Sequence, residues 1–212
     1  GIEEKTAIIQ EDYIQLLQCD DGTMKNIYLL DKDNIHNNRL QVINQYSSTS
    51  SFPAPGNGTS PEPVEAVAER SNSMAERSRS HRYDVTILVN GLPLVHVELK
   101  KRGVDLKEAF NQMERYSRES FWAGSGLFEY VQLFVISNGT HTKYYSNTTR
   151  FTHIKEATSG APAKGKRSRN SFEFTSWWAD AGNRPIPDLR GFTSTFFAKH
   201  TLLNLLTKYC VF

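Results

Sequence analysis

Asp84, Glu98 and Lys100 are the residues whose types and spacing could do chemistry. The run Leu94-Val-His-Val-Glu-Leu-Lys100 reads as a strand. Glu98 and Lys100, two apart, therefore share one face, while Leu99 points the other way and anchors the strand. Charged residues at alternate positions of an otherwise apolar strand are costly unless they are solvated, paired or bound to a cation. Two carboxylates beside a lysine suit phosphodiester hydrolysis. The carboxylates hold Mg2+, which polarises the scissile phosphate and lowers the pKa of a bound water. The ammonium orients that water or stabilises the charge gathering on phosphorus. The plainer reading makes Glu98 and Lys100 a solvated ion pair and Asp84 a strand-start residue.

Hairpin parity tests whether Asp84 and Glu98 can share a cation. Asp84-Val-Thr-Ile-Leu-Val89 reads as a strand, Asn90-Gly91-Leu92-Pro93 as a turn, and Leu94 to Lys100 as the returning strand. Opposed residues of an antiparallel pair share a face, and their numbers sum to a constant. Asp84 and Glu98 sum to 182, an even register, whereas a two-residue Asn90-Gly91 turn pairs Val89 with Leu92 and sums to 181. That odd register would put the carboxylates on opposite faces. The spacing therefore predicts a three- or five-residue loop, or a bulge near Gly91, and Pro93 next to the turn agrees because it cannot donate to the ladder.

The elements around this hairpin follow from pattern. Asp105 starts a helix with Glu108 three residues on, and Leu106, Ala109, Phe110 and Met113 form its apolar stripe. Val131-Gln-Leu-Phe-Val-Ile-Ser137 reads as a central strand, with Thr142 to Ser146 pairing beside it across Asn138-Gly139. Leu189 to Cys210 carries two short helical patterns with Leu202, Leu203, Leu205 and Leu206 as core positions. Before the hairpin, Thr6–Ile9, Tyr13–Leu17, Ile27–Leu30 and Leu40–Ile43 read as short extended segments, with Asp20-Asp21-Gly22 a hairpin turn. Residues 47–81 are rich in Ser, Pro and Gly and read as a low-complexity loop or insertion, with a transient helix at most over Val64 to Arg79. Strand, turn, strand, helix and strand with flanking helices make an α/β layered domain.

Composition bounds the partners. The 212 residues hold 25 Lys+Arg against 23 Asp+Glu, a net charge of +2, so nucleic-acid binding must come from local basic patches. Cys19 and Cys210 cannot build a disulfide scaffold, which favours a reducing compartment. No apolar run approaches the roughly 20 residues of a membrane span. The sequence opens Gly-Ile-Glu-Glu and reads as a piece of a longer chain. Gly160 to Arg167 misses the phosphate-binding loop, because Arg167 stands where Mg2+ chemistry needs a hydroxyl. The six histidines show no metal-binding spacing.

Asp84, then Glu98-Leu99-Lys100, resembles the PD-(D/E)xK nuclease signature, and Gln112-Met-Glu-Arg-Tyr116 resembles the Q-x-x-x-Y motif of its recombination-exonuclease branch. The wider text from Arg82 to Gly103 and from Glu108 to Tyr116 resembles the nuclease domain of the restriction (motor) subunit of type I restriction-modification enzymes. That likeness runs from about Leu30, through Asn37 to Tyr46, to Phe212, leaving out the Pro/Ser-rich loop. The resemblance implies a restriction-endonuclease-like core, a mixed β-sheet flanked by α-helices. It implies one nuclease domain over 1–212, a fragment of a larger chain, with the catalytic core at 82–146. By the same resemblance Asp84 and Glu98 are metal ligands, the Leu99 carbonyl is a third, and Lys100 is the catalytic lysine. Gln112 and Tyr116 contact DNA or brace the site.

The implied cofactor is Mg2+, with ATP used only by motor domains outside this chain. The implied partners are double-stranded DNA and the methylation and specificity subunits, in the cytoplasm and with no membrane. Lys101 and Arg102, Arg77 to Arg82, and Lys164 to Arg169 would supply backbone contacts. Tyr83 stands where the motif name has Pro, and the family's first acidic residue has no clear counterpart, Glu3 and Glu4 being early in the chain. The alternatives from other classes are a non-catalytic DNA-binding or docking module on a nuclease scaffold, and a stand-alone exonuclease or junction resolvase.

Overall fold

A computed structural model describes residues 2–49, 80–116, 127–150, 152 and 171–209. The elements in chain order are α1 (Ile2–Gln10), β1 (Ile14–Gln18), β2 (Met24–Tyr28), β3 (Leu40–Thr49), β4 (Ser80–Val89), β5 (Leu92–Leu99), α2 (Leu106–Tyr116), β6 (Leu133–Ser137), β7 (Thr142–Ser146), α3 (Leu189–Phe196) and α4 (Lys199–Asn204). β1 and β2 form a separate hairpin, closed at Gly22 with φ 79°. The other five strands make one mixed sheet in the order β3-β4-β5-β6-β7. Its neighbours are antiparallel except for the parallel β5–β6 pair. The class is mixed α/β. Among the described residues no helix is long and apolar enough to cross a membrane.

β6 shows why the sheet is central. All five of its residues are buried, and they face alternately into two cores. Leu133 and Val135 join Ile87, Val89, Val95 and Val97 against Phe192, Phe196, Leu202, Leu203 and Leu206 from α3, α4 and the π-turn that follows them. Phe134 and Ile136 join Tyr83 and Tyr145 against Leu106, Ala109 and Phe110 of α2. The apolar stripe of α2 is therefore what seats this helix over the sheet. Asp105 caps it, its side chain accepting from the Lys107 N–H at 2.9 Å.

Several boundaries differ from the sequence expectation; β2 spans Met24–Tyr28 rather than Ile27–Leu30, and β6 starts at Leu133 rather than Val131. Thr6–Ile9 is the second half of helix α1, not an extended segment. Its β-branched residues favour strand locally, but Thr6 and Ile9 are one helical turn apart and both are buried, so packing overrides propensity. Residues 47–49 and 80–81 are paired strand, Ser47 with Arg82, Ser48 with His81 and Thr49 with Ser80, so the ladder runs into the predicted insertion. The rest of that insertion, the transient helix and the residue 160–167 loop lie outside the described residues. Leu92 and Pro93 belong to β5, not to the turn. Pro93 is tolerated there because it sits beside a bulge.

That bulge resolves the parity question. Asn90 and Gly91 form a two-residue turn with φ 51° and 89°, and Val89 pairs with Leu92 and Leu88 with Pro93. The register then shifts, so that Ile87 pairs with Val95, Thr86 with His96 and Val85 with Val97. Leu94 is the extra residue, and it buries into the same core as its neighbour Val95, as two adjacent bulge residues do. Beyond it the paired residues sum to 182, the even register whose continuation past the last pair, Val85 with Val97, would bring Asp84 opposite Glu98.

The turn is tied down by Asn38, which is 1% exposed. Its Oδ1 accepts from the Asp31 N–H and from Asn90 Nδ2, each at 2.8 Å, and its Nδ2 donates to the Asp31 and Ile35 carbonyls. Asn38→Ala orphans several of these groups at once. It is expected to lower the unfolding free energy by about 3 kcal/mol, read as a shifted urea midpoint with unchanged slope.

Candidate active site

The site forms where β5 ends, on the face covered by α2. Two residues of β5, His96 and Glu98, point to this face, each at most 1% exposed. Asp84, half-buried on β4, turns its Oδ2 to accept the Leu99 N–H at 2.8 Å, which locks the two strands together at the carboxylates. The β4 alternation breaks here, with Tyr83 in the α2 core while Val85 packs in the other. On the neighbouring strand Gln45, between the paired residues Asn44 and Tyr46, has φ 51°. Asp84 thus sits at a local kink in the sheet.

Lys100 follows immediately after β5. Its backbone N–H donates to the Ser137 carbonyl at 2.8 Å, fixing the residue against β6. Its Nζ donates to Glu98 Oε1 at 2.7 Å and to Gln112 Oε1 on α2. A buried carboxylate needs such a partner, because desolvation otherwise exceeds the attraction. The other oxygen, Glu98 Oε2, is buried and has no hydrogen-bond partner among the described residues, with His96 Nε2 at 3.9 Å. An anionic oxygen held this way fits a cation.

His96 lies in the same buried layer, with Thr86 Oγ1 3.4 Å from Nδ1 and the Tyr83 ring 5.5 Å away, nearly perpendicular. Burial pulls its pKa below the ordinary histidine value, against the opposing effect of Glu98. Also buried, the Arg150 guanidinium stacks 4.4 Å over the Phe134 ring. Burial lowers its pKa to about 10, so it stays charged, and burial pushes the Tyr145 phenol upward. His96 was open to detection from the strand alternation that gives Glu98. Arg150 carries no sequence signal, because it enters from residues 147–150 after β7.

Of the predicted site residues, Asp84, Glu98, Leu99, Lys100 and Gln112 come together. Tyr116 lies one turn beyond Gln112 on α2. Lys101 and Arg102 are exposed in the loop between β5 and α2. Glu3 and Glu4 are exposed in the first turn of α1. Thr6 of that helix meets Asn147 at 2.9 Å and Gln132, four residues from Ile136, the β6 partner of Glu98. Among the described residues no three His, Cys, Asp or Glu side chains converge.

A family model described as the type I restriction enzyme R protein N terminus matches residues 1–153. The type I restriction enzyme EcoprrI endonuclease subunit of Escherichia coli is 47% identical over 212 residues, 100% of this chain and 54% of that protein. The type I restriction enzyme SauMSSORF170P endonuclease subunit of Staphylococcus aureus (strain MSSA476) is 33% identical over 195 residues, 92% of this chain and 16% of that protein. A putative type I restriction enzyme MjaIXP endonuclease subunit of Methanocaldococcus jannaschii is 26% identical over 125 residues, 58% of this chain and 9% of that protein. The chain spans 54% of the length of the first of these relatives and 16% of the second.

Proposed function

The chain belongs to the family of type I restriction enzyme R protein N termini, and from that premise we propose that it is a Mg2+-dependent DNA endonuclease domain. In this reading residues 1–212 are one nuclease domain with a restriction-endonuclease-like core, and 82–146 carry the catalysis. The observation that supports the reading is the cluster at the end of β5, where Glu98 Oε1 accepts from the Lys100 ammonium, the buried Glu98 Oε2 has no hydrogen-bond partner among the described residues, and Asp84 Oδ2 accepts the Leu99 N–H.

Asp84, Glu98 and the Leu99 carbonyl would hold Mg2+, and water and substrate phosphate would complete its shell, as suits an ion bound by few protein ligands. The bound ion supplies an activated water and a polarised phosphate. Lys100 keeps its ammonium beside the reacting phosphate, steering the water and offsetting the negative charge that builds on phosphorus. Gln112 fixes the lysine by accepting a hydrogen bond from its ammonium. Gln112 and Tyr116 would contact DNA or brace the site, and Lys101 and Arg102 would contact the DNA backbone, which needs no base reading.

In the same reading the substrate is double-stranded DNA in the cytoplasm. ATP-driven translocation belongs to polypeptide outside these residues, and methylation and specificity subunits are the partners. The test is a crystal of the chain soaked in Mn2+ together with plasmid nicking. An anomalous peak between Asp84 and Glu98, with nicking that EDTA and Glu98→Ala both abolish, supports the reading. A cation bound elsewhere, or DNA bound with no cation and no cleavage, favours a docking module instead.

A further inference from the structure

A row of residues leads across the sheet away from Glu98 on the α2 face. Glu98 pairs with Ile136 on β6, and Ile136 pairs with Lys143 on β7. Two strand spacings separate the backbones of Glu98 and Lys143, about 10 Å. Lys143 Nζ lies 5.1 Å over the Trp177 ring and 4.9 Å over Phe172, and donates to Thr175 Oγ1 at 3.0 Å. His141, at the β6–β7 turn, meets the same indole at 5.8 Å and 74°. Ser176 bridges to Tyr144 by two backbone hydrogen bonds, 2.8 and 3.0 Å, which fasten Trp177 to the edge of β7. The tryptophan is thus held by a cation, an imidazole and a strand edge, yet 41% of it is open to solvent.

Its surroundings are basic. Arg102 lies against Gly139 of that turn, 3.6 Å from where a Cβ would sit, and Lys101 is exposed next to it. Among the described residues the acidic neighbours include Glu173, which is exposed, Asp105 and Asp188, which cap α2 and α3, and Asp180, which is paired with Arg184. A cavity of about 390 Å³ separates Gly103–Leu106 from Asn138, Thr140 and His141, joining the Lys100 loop to the His141 turn. A second exposed aromatic, Phe174, stands three residues before Trp177.

A rigid exposed indole among cations is the equipment for stacking an unpaired base, with the cations taking the phosphates beside it. A paired base keeps both faces inside the helix and offers none to a protein ring. We propose that Trp177, braced by Lys143 and His141 and flanked by Arg102, is a stacking platform that holds a single-stranded DNA segment beside the catalytic centre. The proposal rests on the nuclease reading and deepens it: the duplex remains the substrate, and an unpaired segment next to it is what Trp177 holds.

The test measures binding of a fluorescein-labelled oligodeoxythymidine to the 212-residue chain in EDTA, where no cleavage occurs. Wild type is expected to bind, Trp177→Ala to bind about tenfold more weakly, and Trp177→Phe to keep most of the affinity. Affinity for a duplex of equal length should be the same in all three. Equal binding of the oligodeoxythymidine by Trp177→Ala and wild type overturns the platform. So does an equal loss for duplex, or failure of wild type to bind. If the alanine variant does not fold, tryptophan emission decides: the oligonucleotide should quench wild type more strongly than Trp177→Phe, which retains Trp122 and Trp178, and an equal quench in the two overturns the proposal. Failure of the nuclease reading shows separately, as absent cation-dependent nicking with the EDTA binding data untouched.

Discussion

Lys100→Ala is expected to reduce metal-dependent DNA cleavage by about 100- to 1,000-fold while leaving the cation bound. A positioned charge aimed at a developing oxyanion contributes about that factor, and Lys100 Nζ is aimed by two acceptors, Glu98 Oε1 at 2.7 Å and Gln112 Oε1. The same ammonium competes with a cation for Glu98. Its removal should therefore hold Mn2+ affinity constant or raise it. A purely structural lysine would not separate the two readouts. Stability gives a third. Without Lys100 the carboxylate of Glu98, 1% exposed, loses its cation, and breaking a buried pair costs about 3 kcal/mol. Thermal melting of the variant should fall in EDTA and recover in Mn2+, which replaces the missing charge. Cleavage within about threefold of wild type, or cation affinity lost together with cleavage, removes Lys100 from the proposed chemistry.

The bulge in the hairpin was legible in the sequence once Asp84 and Glu98 were required to share a face, because strand parity is a hard constraint. Asp84 and Glu98 could meet on one face only if the hairpin departed from a simple ladder. The departure exists at Leu94, three residues from Gly91. The helix start at Asp105 and the apolar run of β6 were equally legible, since each is a local pattern with a local cause. What escaped was whatever depended on distant packing. Helix α1 has strand-like local preferences, and its helicity rests on Ile9 entering the core and on Thr6 reaching Gln132 and Asn147, more than 120 residues away. The extra length of β3 and β4 escaped for a related reason: a serine-rich run with a single threonine is a weak strand signal, but each residue pairs with a partner across the ladder. Arg150 beneath the site, and Trp177 at its edge, come from segments that sequence order gives no reason to bring near Glu98.

Asp84→Asn separates the charge of this residue from its hydrogen bond. Asp84 Oδ2 accepts the Leu99 N–H at 2.8 Å, and the amide oxygen of asparagine can accept the same bond. The hairpin register should therefore survive, with an unfolding midpoint within about 0.5 kcal/mol of wild type. The negative charge does not survive. Loss of one of two carboxylate ligands weakens Mn2+ binding by about a hundredfold or more, since even partners outside the ligand shell are worth 10–100-fold. Cleavage should then fall to background at ordinary cation concentrations and return in part when Mn2+ is raised. Asp84→Ala should behave alike in binding, with a small further loss of stability because the Leu99 N–H, on a residue 36% exposed, can turn to water. Calorimetric titration with Mn2+ beside chemical denaturation reads both quantities. If Asp84→Asn binds Mn2+ as wild type does, Asp84 is a strand clamp rather than a ligand, and the cation must be held by Glu98 with groups other than its neighbour across the hairpin.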